Sequence, residues 1–157
     1  MEENSFSELD KTILPWLGRT MKALDHFLND QFESHGLNLT KAQFVVLKVL
    51  SHQSSIAQNN LAFITNRDKT SLTRLIDTME KKGLVIRSSD PNDKRIKLVS
   101  ITTEGKSSVK TAIPMLHETI KKIQTDIDPA DLQTTIEVFK KISKNINADE
   151  LTAPINQ

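Results

Sequence analysis

Cysteine and tyrosine are absent from this chain of 157 residues, and tryptophan occurs once. Without cysteine there is no disulfide, no thiol nucleophile, no thiolate-held zinc and no cysteine-based redox sensing. With aromatics at 4%, readout of single-stranded nucleic acid by base stacking has little to work with. No apolar run approaches the roughly 18 residues that a bilayer-spanning helix needs. The start MEENSFSELD lacks the basic and apolar regions of a signal peptide, so a cytoplasmic protein is expected. No P-loop, dinucleotide fingerprint or nucleophile elbow is present, and the carboxylates are scattered through helical segments. Catalysis is not expected, and no cofactor is implied. The histidines His26, His35, His52 and His117 include no pair at the close spacing of helical ligands, so no metal site is expected.

What is present reads as an ordinary globular domain, with 37% hydrophobic and 26% charged residues. The length suits one domain with a single core or two tightly joined subdomains. Net charge is only +1, but its distribution is uneven. Residues 1–40 carry 3 basic and 7 acidic groups, residues 66–106 carry 10 and 6, and residues 107–157 carry 6 and 7. A basic middle attracts polyanions through counterion release, although a solvated charged face would look similar.

From about Ser7 to His35, Leu9, Ile13, Trp16, Leu17, Leu24, Phe27, Leu28 and Phe32 recur at helical steps, with Pro15 starting or kinking the helix. Gly36 ends it, and Thr40 caps a second helix whose apolar positions run almost continuously from Phe44 to Leu50. A short third helix is expected over about Ser54 to Ile64, broken by Thr65-Asn66-Arg67-Asp68. A fourth runs up to Gly83, which can close it in the left-handed conformation. Leu84–Arg87 and Ile96–Ile101 read as a β-hairpin, with Pro91 in its polar loop. Thr102 or Thr103 then caps a fifth helix bearing the stripe Val109, Ile113, Leu116, Ile120, Ile123 and Ile127, with Pro114 as a kink. Asp128-Pro129 starts a sixth helix carrying Leu132, Ile136, Phe139, Ile142 and Ile146, and residues 148–157 are expected to fray.

Two short helices separated by a polar turn and followed by a hairpin give the connectivity of a winged helix-turn-helix, in a mainly α fold with a small β-wing. On the fourth helix Leu72, Leu75, Ile76 and Met79 form an apolar stripe, leaving Thr70, Arg74, Asp77 and Lys81 opposite, with Lys69, Ser71 and Thr73 on the flanks. Small hydroxyl residues near the helix start allow close approach to a major groove, and Arg74 can reach a guanine edge or a phosphate. An ordinary surface helix would show the same amphipathicity. At the hairpin tip Arg95 can enter a minor groove, while Asp93 is expected to hold Arg74 or Arg95 in place. A solvated turn with a chance charge pair is the alternative there.

The segments Leu39-Thr40-Lys41-Ala42-Gln43-Phe44-Val45-Val46-Leu47, Asn60-Leu61-Ala62 and Asp68–Asp77 together resemble the MarR family of bacterial regulators. So do Glu80-Lys81-Lys82-Gly83-Leu84-Val85-Ile86-Arg87, Asp90-Pro91-Asn92-Asp93-Lys94-Arg95 and Thr102-Thr103-Glu104-Gly105. The resemblance spans roughly residues 9–147. It departs mildly at Lys94-Arg95, where the family more often has two arginines. It implies a single domain over 1–157, with a winged core at about 39–105 and dimerisation helices at about 7–35 and 103–147. The long narrow stripes on those helices agree with a homodimer.

The expected function is sequence-specific binding of double-stranded DNA by a homodimeric regulator, a ligand-responsive repressor acting on a pseudo-palindromic operator. Thr70, Ser71, Thr73 and Arg74 would read the major groove, and Arg95 the minor groove. Lys69, Lys94, Lys97, Gln58 and Asn59 would hold phosphates. The resemblance also implies a small aromatic or phenolic effector, for which Trp16, Arg19 and His26 are the candidate cleft residues, with plain packing or surface as the alternative for each. The alternative is a winged-helix module that binds another protein and barely touches DNA.

Overall fold

The computed structural model describes residues 8–146, which fall into two compact units divided between Lys41 and Ala42. The expected helix start at Ser7 and the frayed tail 148–157 lie outside the described residues.

The first unit is built on α1 (Ile13–Ser34). The expected helix began near Ser7, but the Thr12 hydroxyl donates to Leu9 O at 2.7 Å in a separate turn. Pro15 falls in the first turn of α1, where its missing N–H has no intrahelical acceptor to lose. Gly36, at φ +68°, ends the helix as expected. Its N–H reaches Glu33 O at 2.9 Å and the Leu37 N–H reaches Phe32 O at 2.9 Å, satisfying two orphan carbonyls.

The second unit carries the wing. Lys41, the last residue of the first unit, donates its N–H to Asn29 Oδ1 of that same unit at 2.8 Å and opens α2 (Lys41–Ser51), on which Val46, Leu47 and Leu50 are buried. The expected third helix is shorter than its sequence suggested. Ile56 and Ala57 form a two-residue strand, β1, and α3 covers only Gln58–Ile64. Asn66, at φ +48°, closes α3, and Asp68 caps α4 (Lys69–Lys81) by accepting from the Ser71 N–H at 2.8 Å. Leu72, Ile76 and Met79 are fully buried, as the apolar stripe required. Gly83, at φ +70°, then turns the chain into β2 (Val85–Ser89).

β3 (Lys97–Ile101) pairs antiparallel with β2, Arg87 facing Val99 and Ser89 facing Lys97. β1 adds to the other edge of β3 through Ile56–Val99 and Ala57–Leu98, giving the order β1-β3-β2. Thr102 caps α5 (Thr103–Ile123) by accepting from the Gly105 N–H at 3.0 Å, while its own hydroxyl donates to Gly83 O at 2.6 Å. One threonine thus starts a helix and ties it to the turn that ends α4.

The aliphatic stripe read on α5 is not the face this chain buries. Gly105, Ala112, Met115 and Thr119 are buried instead, while Ile113 and Ile120 remain 44% and 46% exposed. α6 (Pro129–Asn145) follows an Asp128 cap and has no buried residue, leaving Ile136, Val138, Phe139 and, just past its end, Ile146 exposed. Among the described residues no helix is long and apolar enough to cross a membrane.

Candidate nucleic-acid interface

The outward face of α4 presents Lys69, Thr70, Thr73 and Arg74 to solvent. Burial of Leu72, Ile76 and Met79 on the opposite side fixes the rotation of the helix about its axis. Ser71 is half-buried. Its hydroxyl accepts from Arg67 Nη1 at 3.3 Å, and its N–H is held by the Asp68 cap. Thr73 donates to Lys69 O at 2.8 Å and accepts from Gln58 Nε2 at 2.9 Å. Both functions of that hydroxyl are engaged inside the protein, which leaves Thr70 and Arg74 as the freer reading groups on this face.

The wing tip is a set of Asx turns. Asp90 Oδ1 accepts from the N–H groups of Asn92 at 2.8 Å and Asp93 at 3.1 Å, and the Asp90 N–H closes the loop onto Ile96 O at 3.0 Å. Asp93 was expected to hold the Arg74 or Arg95 side chain. Its carboxylate accepts instead from the Arg95 backbone N–H at 2.9 Å. It therefore shapes the loop that presents Arg95 and leaves the guanidinium exposed. Lys94 is exposed beside it, and Lys97 Nζ donates to Ser89 Oγ across the hairpin at 3.0 Å. Among the described residues, no ion pair engages Lys69, Arg74, Lys94 or Arg95. Four cations without anionic partners on the helix and wing tip suit a polyanion.

Gln58 and Asn59, expected at phosphates, part company. Asn59 is exposed, whereas the Gln58 amide is spent on Thr73 and on Arg87 Nε, the latter at 3.1 Å. Gln58, Asn59, Arg95 and Lys97 line a small groove between α3 and the wing. Sequence reading missed Arg87, which joins the wing to α4 through Asp77 at 2.7 Å and Glu80 at 2.8 Å. Half-burial of a long cation was the structural sign, and only strand alternation on β2 could have hinted at it.

The effector candidates are divided. Arg19 stacks over the Trp16 ring at 6.0 Å, at the outer reach of a cation–π contact, and both are exposed. His26 is also exposed, but it lies ten residues along α1 from Trp16, about 15 Å by helical rise. α1 therefore does not bring the three together. Among the described residues no group of three or more His, Asp or Glu is placed to hold a metal.

The MarR family profile matches residues 39–97, from two residues before α2 to the first residue of β3. The chain is 32% identical to the multiple antibiotic resistance protein MarR of Escherichia coli, over 87% of this chain and 96% of that one. It is 27% identical to the regulator YdgJ of Bacillus subtilis, over 69% of this chain and 66% of that one. An Escherichia coli MarR variant, crystallised with operator DNA, superposes with a TM-score of 0.77 at 26% identity, covering 83% of this chain and 92% of that one. A SlyA-like transcription regulator of Listeria monocytogenes superposes at 0.75 with 30% identity, covering 90% and 93%. With a winged helix-turn-helix, a cationic reading face and nearly a third of its residues shared with MarR over most of both chains, this protein belongs to the MarR family of DNA-binding transcriptional regulators.

Proposed function

We propose that the protein is a homodimeric repressor in the cytoplasm that reads a pseudo-palindromic operator and acts by binding, not catalysis. The observation that carries the DNA reading is the cationic set Lys69, Arg74, Lys94 and Arg95, which no ion pair engages among the described residues, displayed on the helix and wing of a fold whose relative is crystallised on operator DNA. In this reading Thr70 and Arg74 contact base edges in the major groove, and Ser71 and Thr73 support the helix that carries them. Arg95 enters the minor groove, while Lys69, Lys94, Lys97 and Asn59 hold phosphates and set register.

The exposed aliphatic faces of α5 and α6 support dimerisation, because Ile113, Ile120, Ile136 and Phe139 leave a large apolar surface without cover in one chain. Two-fold symmetry then sets the half-sites about one helical turn, roughly 10 base pairs, apart. A small aromatic effector is proposed for the exposed Trp16–Arg19 pair, a ring and a cation able to take an aromatic acid.

The test is selection from a pool of random duplexes, followed by fluorescence anisotropy at two salt concentrations. A preferred duplex whose affinity falls steeply with salt supports the reading. Flat salt response and no preferred duplex would overturn it in favour of a protein-binding module.

A further inference from the structure

Arg87 projects from the middle of β2, and its guanidinium uses every edge. Nε donates to Gln58 Oε1 at 3.1 Å, Nη1 to Glu80 Oε2 at 2.8 Å, and Nη2 to Thr73 O at 3.2 Å and Asp77 Oδ1 at 2.7 Å. Its backbone N–H adds a bond to Glu80 Oε1 at 3.1 Å. Thr73, Asp77 and Glu80 lie on one side of α4 over two turns, and Gln58 is the first residue of α3. One planar fork therefore joins the wing to both helices of the helix-turn-helix, and its geometry admits little rotation. The Arg87 side chain is only 20% exposed, although its carboxylate partners Asp77 and Glu80 are 50% and 40% exposed, so the arginine is held by the number of its partners more than by exclusion of water.

The other ties of the hairpin sit away from its tip. Val85 and Val99 are buried, and β1 contributes two paired residues. Beyond Arg87 the strands run out to the exposed loop with no further anchor on α4 among the hydrogen bonds of the described residues.

We propose that Arg87 is a positioning residue for DNA reading, which locks the wing to the recognition helix so that Arg95 and Arg74 meet one duplex at a fixed separation. The proposal rests on the DNA-binding reading above. A residue that only stabilised the fold would lower stability without changing how strongly the wing tip and helix act together on DNA. A lock makes their contributions interdependent.

The experiment uses the full chain carrying Arg87→Met together with Asp77→Asn, a pair that removes the lock and keeps the net charge. Amide exchange of the free protein is followed first. Faster exchange across residues 88–98, by about tenfold, with unchanged protection near Ile76 is expected, and unchanged hairpin exchange overturns the lock.

Anisotropy on the selected duplex and on a random duplex of equal length follows, in the native and unlocked backgrounds, each with and without Arg95→Ala. Unlocking is expected to weaken the selected duplex about tenfold and the random duplex less than about twofold. Arg95→Ala should cost about tenfold in the native background and under about threefold in the unlocked one. Penalties that multiply as independent effects would overturn the proposal. If Arg95→Ala is silent in the native background, the minor-groove reading fails. The lock is then judged on the loss of the selected duplex alone, where equal weakening of both duplexes overturns it. If no duplex is preferred at all, the DNA reading fails, and the exchange result alone decides whether the lock exists.

Discussion

The Arg87 guanidinium lies 2.7 Å from the Asp77 carboxylate, joining the middle of the wing to the solvent side of the recognition helix. Exposed ion pairs contribute little one at a time, but this arginine also bonds Glu80, Gln58 and the Thr73 carbonyl. Replacing Arg87 by methionine should lower the unfolding free energy by about 1–3 kcal/mol, because two carboxylates and two neutral acceptors lose a shared donor. Urea denaturation measures this, and a loss below about 0.5 kcal/mol would show the network to be energetically idle.

Arg74→Ala and Arg95→Ala should each weaken the selected duplex by about 1–3 kcal/mol. Arg74→Ala should also relax base preference at one position in each half-site, seen by repeating the selection with the variant. Lys69→Ala should weaken selected and random duplexes alike and reduce the slope of log affinity against log salt by about 1 per dimer contact.

Gly105 has no room for a side chain. A Cβ there would overlap the Leu84 carbonyl oxygen and come within 2.8 Å of Ile101 Cγ1. Gly105→Ala must separate α5 from the turn at the end of α4, costing on the order of 2–4 kcal/mol. Thermal unfolding tests it, and a near-native melting temperature would mean that the two segments yield easily.

The uncovered faces of α5 and α6 should assemble in solution. Ile120→Glu with Phe139→Lys, both at exposed positions in one chain, should convert a dimer to monomer in sedimentation velocity. Unchanged sedimentation would place the dimer contact elsewhere.

Burial pushes Lys82 below the usual lysine range beside the buried Gln43, whose Oε1 accepts from its Nζ at 3.1 Å. Between its folded and unfolded pKa the unfolded chain binds more protons, so stability should rise with pH across that alkaline window. Below the window Lys82 is charged in both states, and its burial penalty applies in full. Comparing the native chain with Lys82→Met in urea at several alkaline pH values checks the sign. A native chain that loses stability relative to the variant as pH rises would refute it.

The sequence by itself determined the order and most ends of the helices and the hairpin, because these depend on residues close in the chain. Gly36 and Gly83 take the positive φ that helix closure needs, Asp68 and Thr102 supply caps three residues from the amides they satisfy, and the α4 stripe packs where its period placed it. The spaced segments between Leu39 and Gly105 pointed to the MarR family for the same reason. Tertiary structure decided what rests on distant partners. Ile56 and Ala57 become a strand only because Val99 and Leu98 offer an edge, and α5 buries Ala112, Met115 and Thr119 in place of its bulkier stripe. Gln58 and Arg87, 29 residues apart, meet across the fold, so one expected phosphate contact becomes an internal strut. A side chain's hydrogen-bonding capacity is visible in sequence, but which partners consume it is settled only when the elements pack.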